Sequence, residues 1–204
     1  KFFAGVEDGE TKLGALVSSG DRWRQLAGQL SVAAERYRQA RVLFPNRVEP
    51  LQGLLAVHEA NENVREVLET LHLMAEVLTD PRERAQAYFA LGRYCVQVGR
   101  EREAFIAFEQ VLDADPTMLQ ALEVLAGALA EHQEWAELER VYRKMIESFR
   151  ARGADDDRRT VLAELYRRSA LLCRDHLHDP DSALQALESE IELPSPGADW
   201  KAAL

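Results

Sequence analysis

Apolar residues recur every three or four positions through most of the chain, and short polar stretches interrupt them at intervals. This spacing places the apolar side chains on one face of an α-helix. Residues 85–118 show the pattern most clearly, as two amphipathic segments of which the second ends at Asp115-Pro116. The pattern therefore predicts an all-α protein built from consecutive pairs of helices.

The same two-helix pattern occurs about five times along the chain. When Ala85 is numbered as position 1, the pair Leu91-Gly92 occupies positions 7 and 8, and positions 20, 24 and 32 are Ala104, Phe108 and Pro116. A small residue at position 8 allows the two helices to approach closely. The other four repeats have at positions 7 and 8 the pairs Leu13-Gly14, Leu54-Leu55, Leu125-Ala126 and Ser169-Ala170, and at position 20 the residues Leu26, Val67, Leu138 and Ala183.

These spacings resemble the tetratricopeptide repeat, a 34-residue helix-turn-helix unit with Leu-Gly, Ala, Phe and Pro at those positions. The resemblance implies an all-α, right-handed superhelical solenoid of stacked antiparallel helix pairs, because one pair cannot bury its apolar face alone. We expect a single array over residues 1–204. The predicted repeats are 7–47, 48–84, 85–118, 119–158 and 163–196, and residues 197–204 begin a truncated sixth, as in a fragment of a longer protein.

Composition and charge narrow the classes of partner. Hydrophobic residues make up 47% of the chain and charged residues 29%, which is the balance of a folded protein in water. No apolar run approaches the roughly 20 residues that a membrane helix needs. The net charge of −10 disfavours nucleic acids and anionic membranes, which require a basic surface. The excess of Arg over Lys is typical of GC-rich bacterial coding, and we expect a cytoplasmic protein.

Residues with catalytic or metal-binding chemistry form no recognisable motif. The chain has no Gly-rich phosphate loop, nucleophile elbow or His-Glu-x-x-His helix. His176 and His178 are two positions apart and face different directions on a helix, so we interpret them as part of a solvated turn. We interpret His58 as a core residue, and Cys95 and Cys173 as small buried residues without a disulfide. The sequence therefore predicts no enzymatic activity, no cofactor and no metal site.

The resemblance also implies a binding surface. Tetratricopeptide arrays generally bind partners in a concave groove lined by their first helices, at positions 2, 5, 9, 12 and 13 of each repeat. Phe89 at position 5 is an outward-facing aromatic residue beside Arg93, and these residue types dominate binding hot spots. The alternative is that Phe89 packs against a neighbouring repeat or a missing segment. The predicted groove residues are Gln52, Glu59, Gln86, Phe89, Arg93, Gln97, Glu123, Glu131, Arg167 and Arg174.

The leading functional prediction is a non-catalytic protein–protein interaction module, a scaffold or adaptor that binds a partner peptide or domain in this groove. Chaperone tails are not expected as partners, because the Lys and Asn of the carboxylate clamp known in co-chaperones of this family are absent. Their positions hold Thr11/Ala15, Gln52/Ala56, Phe89/Arg93 and Glu123/Gly127. Two alternatives stay open: a structural spacer or self-association element, with weak association through uncapped ends, and the recognition arm of an enzyme whose catalytic domain lies elsewhere.

Overall fold

The structure is a computed structural model that describes residues 9–26, 28–151 and 156–193. Every regular element in these ranges is helical, so the prediction of an all-α protein is confirmed. The predicted sixth repeat at 197–204 lies outside the described residues. The elements are α1 (Gly9–Gln25), α2 (Leu30–Leu43), α3 (Glu49–Ala60), α4 (Val64–Val77), α5 (Pro81–Gln97), α6 (Glu101–Ala114), α7 (Leu119–Glu131), α8 (Trp135–Ala151), α9 (Asp156–Leu172), a π-helix (Cys173–Leu177) and α10 (Pro180–Ile191).

The helices form two compact units that divide between Asp115 and Pro116. The first unit contains the pairs α1–α2, α3–α4 and α5–α6, and each helix packs against the next one along the chain. The second unit contains the pairs α7–α8 and α9–α10, which also pack consecutively. Each unit is thus a stack of helix pairs, in which the apolar face of one pair is buried against its neighbour.

The first helices of two pairs begin ahead of the predicted repeat starts at 85 and 163. Helix α5 begins at Pro81 and helix α9 at Asp156. For α5 the reason is a strong helix start, because the Asp80 carboxylate accepts hydrogen bonds from the backbone N–H groups of Arg82 and Glu83 at 2.9 and 3.0 Å. Proline at the first helical position needs no such bond and has a backbone already suited to the helix.

The third pair, α5–α6, places the residues of the repeat motif as predicted. Leu91, Gly92 and Cys95 are buried on α5, and Ala104 and Phe108 are buried on α6. A Cβ atom added to Gly92 would lie 2.8 Å from the ring of Phe108, so the ring rests directly on the backbone of α5. The missing side chain at position 8 therefore sets how closely the two helices cross.

The first pair differs from the sequence prediction in its register. Gly14 is exposed, and a Cβ atom there would meet nothing within 4 Å, so it is not the residue of close approach. That role belongs to Gly20, where a Cβ atom would lie 2.5 Å from the ring of Tyr37 on α2. Leu26, predicted at position 20 inside the second helix, lies exposed in the connection before α2. Because α1 extends to Gln25, the helices cross further along it than the Leu13-Gly14 pair suggested.

Tyr37 is fully buried and contacts two other helices. Its ring lies against Gly20 of α1 and Gly53 of α3, and a Cβ atom at Gly53 would come within 2.2 Å of it. Its hydroxyl donates a hydrogen bond to Asp21 Oδ1 at 2.7 Å. Burial, together with this hydrogen bond, raises the pKa of Tyr37 to about 12. One large side chain thus joins α1, α2 and α3.

The last pair contains an irregular turn. Helix α9 continues into the π-helix, which ends at His178 in the left-handed conformation with φ at 53°. Asp179 then caps the start of α10, because its carboxylate accepts hydrogen bonds from the backbone N–H and the hydroxyl of Ser182 at 3.1 and 2.6 Å. An aspartate in this place satisfies a helix N–H group that would otherwise have no partner in the helix.

Candidate protein-binding surface

Helix α5 carries the largest part of the predicted groove. Gln86, Arg93 and Gln97 are exposed along it, and Phe89 is partly buried between them. Val96, one turn after Arg93, is 55% exposed. Arg93 makes no hydrogen bond or ion pair with any residue that the structure describes. The α5 face, as we call these five residues, therefore combines an unpaired cation with an exposed apolar side chain.

Phe89 also packs against the helix of its own pair. Its ring meets the ring of Phe108 on α6 edge-on, with a centroid distance of 5.7 Å and an interplanar angle of 61°. Phe108 is buried and rests on Gly92. A change at Phe89 would therefore alter the packing of α5 on α6 as well as the exposed surface. The alternative stated for Phe89 was packing against a neighbouring repeat or a missing segment, whereas this contact lies inside its own pair.

Two further predicted residues of the first unit, Gln52 and Glu59, are exposed on α3. They are two turns apart and lie on the same side of that helix. Glu59 has no hydrogen bond or ion pair with the described part of the chain. That these two residues and the α5 face contact one partner stays a prediction.

The predicted residues of the second unit are mostly engaged in ion pairs. Arg167 contacts Glu190 of α10 at 2.6 Å, and this hydrogen bond raises the pKa of the guanidinium. Arg174 contacts the adjacent Asp175 at 2.6 Å, and this contact lowers the pKa of that carboxyl group. Glu131 is exposed on α7. A carboxylate of a partner can pair with Arg167 or Arg174 only by displacing the carboxylate that each arginine already contacts.

Arg168, which is not among the predicted groove residues, connects the first helices of two pairs, α7 and α9. Its guanidinium donates to Glu164 on α9 at 2.9 Å and to Glu123 on α7 at 2.6 Å. The hydrogen bond to Glu164 has the larger effect and the one to Glu123 the smaller, and both raise the pKa of Arg168 above its already high ordinary value. The spacing of Glu164 and Arg168, four residues on one helix, was visible in the sequence. The contact with Glu123 on α7 could not be read from the sequence. Because of this contact, Glu123 links the pair α7–α8 to the pair α9–α10.

His176 is held against an aromatic residue from another helix. Its ring stacks on the indole of Trp135, the first residue of α8, with centroids 3.7 Å apart and planes inclined by 17°. His176 is exposed, as predicted for a turn, but its ring also contacts the indole of Trp135. Among the residues described, no group of three or more His, Cys, Asp or Glu side chains is placed to hold a metal ion.

His58, Cys95 and Cys173 are buried, as predicted, and both thiols are free. Burial lowers the pKa of His58 and raises the pKa of each thiol. Each shift favours the uncharged form of the group, because the interior solvates a charge poorly. These residues therefore serve as core side chains in the structure.

No protein-family model and no curated protein sequence matches this chain. Solved structures resemble it at low identity. The MamA protein is 19% identical with a TM-score of 0.47, over 96% of both chains. YrrB, described as a tetratricopeptide repeat protein with an unusual peptide-binding site, is 13% identical with a TM-score of 0.42, over 95% of this chain and 88% of its own. A tetratricopeptide repeat protein from Parabacteroides merdae is 16% identical with a TM-score of 0.46, over 91% of this chain and 66% of its own.

The class of protein follows from the chain's own geometry. Consecutive helix pairs stack within each unit, and the third pair buries the repeat-motif residues Leu91, Gly92, Ala104 and Phe108. Each unit has a tetratricopeptide-like fold of stacked helix pairs. None of the helices in the described ranges is both long and apolar enough to cross a membrane.

Proposed function

We propose that this chain is a protein–protein interaction module, a scaffold or adaptor of the bacterial cytoplasm, that binds a partner through its first helices. The α5 face carries this proposal. Arg93 is unpaired among the described residues, and Val96 beside it is 55% exposed. Arginine is one of the residues that most often dominate the energy of binding surfaces, and the apolar area of Val96 beside it can be buried by a partner.

The chemistry of the α5 face indicates the kind of segment that it accepts. Val96 offers apolar area, and the planar guanidinium of Arg93 can bind a carboxylate through two parallel hydrogen bonds. The amides of Gln86 and Gln97 can donate to and accept from a peptide backbone. A partner segment that carries an apolar residue next to a carboxylate satisfies all of these groups.

The test compares two matched double variants in capture from native lysate, read by mass spectrometry. Arg93→Glu with Val96→Asp changes the α5 face and leaves Phe89 in place, because Phe89 packs against Phe108. Arg102→Glu with Ile106→Asp makes the same changes on α6, where both residues are exposed and Ile106 is 58% exposed. We expect the α5 variant to lose a partner that wild type and the α6 variant retain, with thermal melting unchanged in both. A partner lost only from the α6 variant would contradict the proposal.

A second candidate function, self-association, is favoured by one observation on α10. Leu184, Leu187 and Ile191 are three and four residues apart, which places them on one side of the helix, and all three are exposed. An apolar stripe of this kind on a final described helix is suited to pairing with another apolar surface. This function would make the chain a self-associating structural element within a larger protein.

A further inference from the structure

Helix α2 has the opposite charge to the chain as a whole. The chain carries a net charge of −10, but α2 contains Arg36, Arg38 and Arg41 against the single carboxylate of Glu35. Arg36 donates a hydrogen bond to Gln39 at 3.2 Å. Arg38 and Arg41 make no hydrogen bond or ion pair with the residues described. Two cations on one helix are therefore available to an outside group.

Apolar hollows flank α2 on both sides. A hollow of about 560 Å³ lies between α1 and α2 and is bordered by Val42 and Leu43. A second hollow of about 480 Å³ lies between α2 and the α3–α4 pair and is bordered by Leu73 and Val77. Arg38 and Val42 line both hollows, so they form a ridge between them.

The ridge is exposed. Val42 is 81% exposed, and the adjacent Leu43 is about half exposed. A single exposed apolar side chain is ordinary, but Val42 lies between two apolar hollows and Leu43 borders the first of them. The α2 surface, defined by Lys12, Arg38, Arg41, Val42, Leu73 and Val77, thus combines apolar depressions with three cations at their edges, against the one carboxylate of Glu35 in the lining of the first hollow.

We propose that the α2 surface is a second docking site, separate from the α5 face, for an acidic amphipathic segment of a partner protein. Charge complementarity selects this occupant. Carboxylates of the segment would pair with Arg38 and Arg41, while apolar side chains enter the hollows on either side of Val42. A neutral segment would remove the two cations from water without compensation, and a basic one would be repelled.

The acidity of the rest of the chain makes the site selective. A net charge of −10 repels an acidic segment from most of the surface, whereas α2 attracts it locally. Nucleic acid, although also anionic, would gain little from the apolar hollows and needs more phosphate contacts than two arginines supply. The chemistry therefore favours a peptide in which acidic and apolar residues alternate along one face.

The probe is a phage-displayed library of random peptides, selected on the intact chain, followed by measurement of Kd by fluorescence anisotropy. We expect selected peptides to be acidic and amphipathic. The variant Arg38→Glu with Arg41→Glu should raise their Kd at least about tenfold, because it replaces two attractions by two repulsions. The matched control, Arg82→Glu with Arg102→Glu, makes the same change of net charge at exposed arginines of α5 and α6. Its Kd should stay within about twofold of wild type.

Val42→Asp gives an independent result, because a side chain that is 81% exposed can be replaced without loss of the fold. It should also weaken the selected peptides, while thermal melting stays unchanged. Peptides that bind the α2 surface should keep their Kd in the variant Arg93→Glu with Val96→Asp, which separates them from peptides that bind the α5 face. A selection that yields only peptides lost from this α5 variant would overturn the proposal. Selection of neutral or basic peptides, selection of none, or equal losses in the α2 and control variants would overturn the proposal. A wild-type dimer by light scattering that dissociates in the α2 variant would make the occupant a second copy of the chain, and would overturn it too.

Discussion

Tyr37 and Phe108 have the same relation to their surroundings in two different helix pairs, because each ring rests on a glycine of the neighbouring helix. The sequence indicated Gly92 as the residue of close approach in the third pair, since the Leu-Gly pair stands at the expected spacing. It indicated Gly14 in the first pair for the same local reason, and the structure places Gly20 there instead. The local sequence favours Gly14, which follows a leucine, over Gly20, which follows a serine. The difference lies in Tyr37, which reaches α1 from another helix.

These contacts predict opposite effects for two glycine-to-alanine changes. Gly53→Ala would place a Cβ atom 2.2 Å from the buried ring of Tyr37. Overpacking of this kind costs about 1–3 kcal/mol, which exceeds the gain of about 0.5–1 kcal/mol from alanine in a helix. We expect the free energy of unfolding in urea to fall by about 1–2 kcal/mol. Gly14→Ala, with nothing within 4 Å, should raise it by about 0.5–1 kcal/mol. Equal effects of the two changes would mean that the ring yields to the added methyl group.

At the scale of the helices, the repeat pattern predicted which segments are helical and paired, because apolar spacing within a segment is a local property. The pattern did not predict which side chains of different helices contact one another. The stack of His176 on Trp135 and the bridge from Arg168 to Glu123 join residues far apart in the chain. Gln86, Arg93 and Gln97 are exposed on α5, where the repeat positions put them, but the packing of Phe89 on Phe108 depends on how two helices cross.

The apolar stripe of α10 leads to a prediction about association. Leu184, Leu187 and Ile191 are exposed on one side of the helix, and Ile191 is 81% exposed. We expect the average mass from light scattering to rise with protein concentration, because association buries this stripe. Leu184→Glu with Ile191→Glu should abolish the rise, since each added carboxylate would have to be desolvated.

Gln185→Glu is the control for α10, because it adds a charge to an exposed position of the same helix outside the stripe. It should leave the concentration dependence in place. A mass that stays monomeric at every concentration in the wild-type chain would exclude self-association through α10. A loss of association in the control as well would assign the effect to net charge.

At the scale of the whole molecule, the division between Asp115 and Pro116 predicts that the first unit folds by itself. Residues 1–115 contain three complete pairs, and each helix from α1 to α6 has its sequence neighbour to pack against. We expect this fragment to be helical by circular dichroism and to unfold in urea in one cooperative transition. A fragment 1–97 retains α5 but lacks α6, which exposes Leu91 and Cys95. It should lose stability relative to 1–115. An unfolded 1–115 fragment would show that the first unit depends on the second.

The contact of Tyr37 with Gly20 and Gly53 also constrains which amino-acid substitutions these positions can accept during evolution. One fixed volume at the crossing of α1, α2 and α3 is divided among three positions, and the present division gives nearly all of it to the ring. A larger residue at either glycine becomes acceptable only after position 37 has become smaller, so substitutions there must occur in a set order. Two helix pairs can keep the same geometry with different residues at these positions, provided that the summed volume of the side chains at the crossing stays the same. The close approach of two helices thus depends on the sum of the side-chain volumes at their crossing, and the first pair shows that the crossing can move along a helix while a ring still rests on a glycine.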